Sequence, residues 1–133
     1  MYLLDTDIAS YIIKSRSPSV DRRLAGIPGT QVAISAITRA ELLYGLKRSP
    51  TNIRLHQVVD RFLQNVRVLS WIPEGADWYS EIRHQLVSTG QTIGELDMLI
   101  AAHALVLGAT LVTNNMRHYA RIKAPLLLEN WTI

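Results

Sequence analysis

The sequence predicts an α/β fold: one domain over residues 1–133, with a central parallel β-sheet sandwiched by α-helices. Three observations carry this expectation. Short apolar runs alternate with helix-like segments along the whole chain. The runs show no polar face, as strands covered on both sides do not. No repeat, low-complexity tract or linker interrupts the series. With 133 residues and 48% hydrophobic content, the chain has apolar material for one core and too little length for two. The pattern leaves the strand order open.

The elements follow in turn. Tyr2-Leu3-Leu4 reads as a short buried strand, after which the spacing changes to Ile8, Tyr11 and Ile12, a helix with Asp7 as its N-cap. "SPSVDRRLAGIPG" (17–29) is a short capped helix closed by Gly26 and the Pro28-Gly29 turn. "QVAIS" (31–35) is the second strand, "AITRAELLYGLKRS" a helix ended by Pro50, and 51–66 an amphipathic helix on Ile53, Val58, Phe62 and Val66. "RVLSW" is the third strand, and a helix covers 74–88. "GELDMLIAAHALVLG" (94–108) is a strongly apolar helix flanked by Gly94 and Gly108. "ATLVTNN" is the fourth strand and "LLLEN" a short fifth.

Composition narrows the chemistry. There is no cysteine, which excludes disulfides, thiolate catalysis and cysteine-built zinc sites. Any metal is therefore held by oxygen or histidine. The N-terminus lacks a basic leader and carries acids at 5 and 7, unlike a signal peptide, and no apolar run approaches the roughly 18 residues of a membrane span. The expectation is a soluble cytoplasmic protein. A net charge of +3 is compatible with a polyanionic partner, although charge alone decides little.

Three acids stand on otherwise apolar elements. In sheets of this kind the ligand site lies beyond the carboxyl ends of the strands, where Asp5 and Thr113-Asn114-Asn115 fall. Glu41 shares a helix face with Ile37 and Tyr44; alone, it reads equally as a partly exposed glutamate paired with Arg39 or Lys47. Asp97 lies on the stripe of Ile100, Ala101 and Ala104, or serves as a first-turn acid favoured by the helix dipole. Burying one unpaired carboxylate costs several kcal/mol, so three together suggest a common charged partner, most simply a divalent cation. Hard oxygen donors favour Mg²⁺ or Mn²⁺ over zinc or copper. A hard-metal site in a basic domain suits phosphate chemistry.

"LLDTDI", "ITRAELLYG", "IGELDMLIAAHALVLGATLVTNN" and the closing "ENW" occur in the order and spacing of PIN-domain ribonucleases, and the chain resembles the VapC toxins of bacterial toxin–antitoxin pairs over nearly its whole length. The resemblance implies a PIN-like α/β/α sandwich and a Mg²⁺- or Mn²⁺-dependent endoribonuclease. It also implies a homodimer, inhibition by a cognate VapB-type antitoxin in a toxin–antitoxin hetero-oligomer, and a structured RNA loop as target, with tRNA leading. Asp5, Glu41 and Asp97 match the family's first three acids as catalytic metal ligands. Where a T-x-D pattern supplies a fourth acid, this chain has Asn115, a neutral and poorer ligand, so a second metal position would be weaker. Thr113 and Asn114 would orient water or phosphate. The implied chemistry is in-line hydrolysis by metal-activated water, leaving 5′-phosphate and 3′-hydroxyl ends and inhibiting translation.

Asp7 stands where relatives carry asparagine and is read as a helix cap rather than a ligand, and Glu95 as a first-turn acid with an outer role as the lesser alternative. Arg39, Arg117 and His118 are candidate phosphate contacts, or solvated surface cations. His103 reads as a packed histidine rather than a base; Trp71, Trp78 and Trp131 as core or interface packing. The apolar side of 51–66 faces either the core or an antitoxin helix. Two rivals remain. A haloacid-dehalogenase-like phosphohydrolase would use Asp5 as nucleophile and Asp7 as acid/base, but leaves Glu41 unexplained. A non-catalytic, degenerate PIN module would draw its support from Asn115.

Overall fold

A computed structural model describes residues 1–133. Five parallel strands, β1 (Tyr2–Leu4), β2 (Val32–Ser35), β3 (Arg67–Leu69), β4 (Thr110–Val112) and β5 (Leu127–Glu129), form one sheet in the order β3-β2-β1-β4-β5. The helices are α1 (Thr6–Lys14), α2 (Pro18–Ala25), α3 (Ala36–Lys47), α4 (Ile53–Asn65), α5 (Pro73–Ser88), α6 (Glu95–Leu107) and α7 (Met116–Tyr119). The chain winds outward from β1 through β2 to β3, then crosses to the other side of β1 for β4 and β5. That reversal leaves a crevice between the carboxyl ends of β1 and β4, where open α/β sheets place their sites.

The strands have apolar residues on both faces because each face is covered. Leu3, Ala33 and Leu111 enter one core with Ile82 and Leu86 of α5 and Ile100, Ala101 and Ala104 of α6. Leu4, Val32, Ile34 and Val112 enter a second with Ile8 and Ala9 of α1, Val20 of α2 and Trp131. In register, Leu4 lies beside both Ile34 and Val112, so successive residues alternate between the two cores. Gly75 of α5 is buried because the Trp71 ring fills the space a side chain would need: an added Cβ would lie 2.6 Å from it.

Several boundaries differ from the sequence reading. Asp7 does not cap α1. With β1 ending at Leu4 and the helix starting at Thr6, only Asp5 occupies the junction, and its carboxylate accepts from the Ile8 N–H at 2.9 Å. Asp7 sits exposed in the first turn. β4 stops at Val112, before the Thr113-Asn114-Asn115 stretch, because Thr113 Oγ1 accepts from the Asn115 N–H at 2.8 Å and turns the chain into α7. A four-residue helix such as α7 is too short for periodicity to reveal. α3 is also less enclosed than its composition suggests, with Tyr44 63% exposed.

Candidate active site

The crevice assembles the acids. The Asp5 N–H donates to the Val112 carbonyl at 3.0 Å and the Thr113 N–H to the Glu129 carbonyl at 2.9 Å, so the ends of β1, β4 and β5 are held side by side. Glu41 arrives on α3, which follows β2 directly with Ser35 as its cap, and Asp97 lies in the first turn of α6. Asp97 is near enough to act on the other two: its charge raises the pKa of both Asp5 and Glu41.

Burial dominates the electrostatics. Asp5 is 4% exposed, and desolvation pushes its pKa from an ordinary 3.8 to about 7, with the charges of Asp7 and Asp97 adding to the rise while hydrogen bonds from Thr113 and the Ile8 N–H oppose it. Glu41 is half-buried and raised by desolvation, then by Asp97 and Asp7, against a hydrogen bond from Thr6. Asp97 is raised by desolvation and by Asp7, against Tyr119 and the nearby His118. Asp7 is not a cap, yet its charge reaches all three acids.

Supporting residues missed at the level of sequence complete the picture. Thr6 Oγ1 donates to Glu41 Oε1 at 2.6 Å. Its single hydrogen being committed there, the 3.1 Å contact with the fully buried Thr38 makes Thr38 the donor to Thr6. The only signals in the sequence were Thr6's place between two acids and Thr38's place one turn before Glu41. Tyr119 was also missed. It is 1% exposed, and its hydroxyl closes no hydrogen bond of ordinary geometry, although Asp97 stands near enough to draw on it; burial and then the charges of Asp97 and Asp5 drive its pKa up, so it stays protonated.

The remaining candidates separate. The Asn115 amide donates to His118 Nδ1 at 2.7 Å, which makes Nδ1 an acceptor and leaves Nε2–H as a free donor near Asp97. The Asn114 amide is engaged elsewhere: Nδ2 donates to the Tyr11 hydroxyl at 3.2 Å and Oδ1 accepts from Thr132 at 3.0 Å, tying α1 to the chain end. Glu95 is not brought into the cluster; it faces solvent and pairs with Arg83 at 3.1 Å, because its position in the first turn of α6 points away from the acids. Arg39 and Arg117 are exposed and without ion pairs. His103 is fully buried, with Nδ1 2.8 Å from Ser35 Oγ and its ring edge-on to Trp71, a packing role rather than a basic one. Trp131 packs edge-on against Tyr2 inside the second core.

As they stand, no three acidic or histidine side chains are placed closely enough together to hold one ion. The cluster is open, and its donor chemistry fits a hard divalent cation: oxygen donors only, with charges that repel one another until an ion intervenes.

The PIN domain family profile matches residues 2–124. The chain belongs to the PIN domain family. It is 37% identical to Ribonuclease VapC2 of Rickettsia felis over 98% of each chain. It is 34% identical to the tRNA(fMet)-specific endonuclease VapC of Shigella flexneri, again over 98% of each. The crystal structure of VapBC2 from Rickettsia felis bound to a DNA fragment from its promoter superposes with a TM-score of 0.88, at 36% identity, covering 98% of each chain. Both relatives are named as RNA-cleaving enzymes of the VapC type. Membership also decides against the phosphohydrolase reading, in which Glu41 had no place; here Glu41 lies within reach of Asp97, which also acts on Asp5. No helix of this PIN domain is long and apolar enough to cross a membrane.

Proposed function

We propose that this PIN domain is the toxin of a toxin–antitoxin pair, a Mg²⁺- or Mn²⁺-dependent endoribonuclease with a tRNA as substrate. The observation that carries the proposal is the meeting of Asp5, Glu41 and Asp97 at the strand-order reversal, each with its pKa raised by burial. Asp5, with one oxygen held by Ile8, Glu41, with one oxygen held by Thr6, and Asp97 would hold the ion. When bound, it would offset charge on the phosphoryl oxygens and lower the pKa of water. His118 Nε2–H, oriented by Asn115, donates to a phosphate oxygen, and Arg39 and Arg117 attract the RNA backbone. Asn115 therefore acts through His118 rather than as a fourth ligand. The tRNA assignment is supported by the Shigella relative, a tRNA(fMet)-specific endonuclease by name.

A groove of about 560 Å³ between α1, α2 and α4, lined by Ile12, Leu24, Val58 and Phe62 with Arg54 and Arg61 among its walls, touches none of the acids. It suits the apolar face of a helix flanked by acidic residues, and the Rickettsia structure contains the VapBC pair. We assign it to the VapB-type antitoxin; the exposed Leu43 and Tyr44 on α3 and Leu96 on α6 suit a second copy of the chain.

The deciding experiment incubates the antitoxin-free protein with total cellular RNA in Mg²⁺, in Mn²⁺ and in excess chelator, beside Asp5→Ala, and sequences the fragment ends. Discrete fragments that need metal and Asp5 and carry 5′-phosphates support the proposal. Intact RNA from a folded protein overturns it in favour of a non-catalytic binding module.

A further inference from the structure

Two buried side-chain polar atoms lack a hydrogen bond, His103 Nε2 and the Tyr119 hydroxyl. His103 is already anchored through Nδ1 to Ser35. Tyr119 is anchored only by its ring, which packs in the larger core; a phenylalanine would fill that position without stranding a donor. The hydroxyl is placed by α7, which the Thr113-Asn114-Asn115 turn directs back toward the acids, and the carboxylates that act on it are those of Asp97, Asp5 and Asp7. Among carboxylates a phenol has one thing to offer, its hydrogen.

The three clustered acids are unevenly held. Asp5 takes the Ile8 N–H at 2.9 Å and Glu41 takes the Thr6 hydroxyl at 2.6 Å. No donor reaches Asp97 in ordinary hydrogen-bond geometry, and the orphan hydroxyl is the one near enough to lower its pKa by such a bond. We propose that Tyr119 is a positioning residue whose buried hydroxyl donates to Asp97 and fixes that carboxylate, so that the remaining oxygen is presented to the divalent cation. This rests on the metal-site reading above. It gives each acid its own donor: the Ile8 N–H of α1 for Asp5, the Thr6 side chain of the same helix for Glu41, and Tyr119 of α7 for Asp97.

The test is Tyr119→Phe in the full chain. Mn²⁺ affinity is read without RNA from the free-ion paramagnetic resonance signal, alongside thermal unfolding of the metal-free protein and steady-state cleavage. Outer hydrogen bonds to metal ligands are worth about 10- to 100-fold in affinity or activity. The expected result is Mn²⁺ binding weakened about 10-fold, kcat reduced with KM for RNA held, and a metal-free unfolding temperature that does not fall. Unchanged Mn²⁺ affinity in Tyr119→Phe, while wild-type binding is lost in Asp5→Ala, overturns the inference and leaves the metal site standing. Absence of Asp5-dependent Mn²⁺ binding in the wild type overturns both.

Discussion

Replacing Asp5 by asparagine keeps the shape and the helix cap, since asparagine caps as well as aspartate, and removes a buried charge. The wild-type carboxyl rises from 3.8 to about 7 on folding. A group whose folded pKa is raised binds its proton more tightly in the native state. Stability is then greatest below pH 3.8, falls as pH climbs toward the folded value, and levels off above about 7. At about 1.36 kcal/mol per pH unit, ionising Asp5 costs the metal-free protein about 4 kcal/mol above pH 7, of which about 3 kcal/mol develops between pH 5 and pH 8. Glu41 and Asp97, also raised, push in the same direction. The assay is urea unfolding in chelator at pH 5 and pH 8 for wild type and Asp5→Asn. The variant's advantage should grow by about 3 kcal/mol between the two, roughly 10 °C in Tm for a domain of this size. A stability difference independent of pH, or a wild type more stable at pH 8 than at pH 5, would refute the claim that burial of Asp5 is held against its charge.

Two other substitutions probe the supporting structure. Thr6→Val removes the donor to Glu41 and strands the buried Thr38 hydroxyl; it should lower stability by about 1–3 kcal/mol in chemical denaturation and reduce RNA cleavage, where an unchanged cleavage rate would count against a role for Thr6 in holding Glu41. Gly75→Ala drives a methyl into the Trp71 ring and should cost about 1–3 kcal/mol in the same assay, with no effect on Mn²⁺ affinity because Gly75 lies outside the cluster.

Much of this architecture is legible in the amino-acid sequence. The strands announced themselves because a sheet covered on both faces forces unbroken apolar runs, and "LLD" shows such a run stopping at its carboxyl end. Asp97 stood out because it shares the stripe of Ile100, Ala101 and Ala104 on a strongly apolar helix. What stayed hidden involves partners far apart in the chain. Thr6 meets Thr38 and Glu41 across 32 and 35 positions, and no local pattern records such a meeting. The helix cap was misplaced by two residues because Asp5 and Asp7 are equally good caps by type, and only the point at which β1 stops chooses between them.

The sequence by itself determined the alternation of strand and helix, the exclusion of thiol chemistry, and the presence of three acids on otherwise apolar elements. These follow from periodicity and residue type, which are local. Only the tertiary structure decided the strand order, and with it the crevice between β1 and β4 that turns separate acids into one cluster. It also decided that Asn115 holds His118, that Asn114 ties down the chain end, and that the hydroxyl of Tyr119 is buried without a partner beside Asp97. Those outcomes depend on which helices pack over which strand ends, a property of the whole chain's burial and not of any stretch within it.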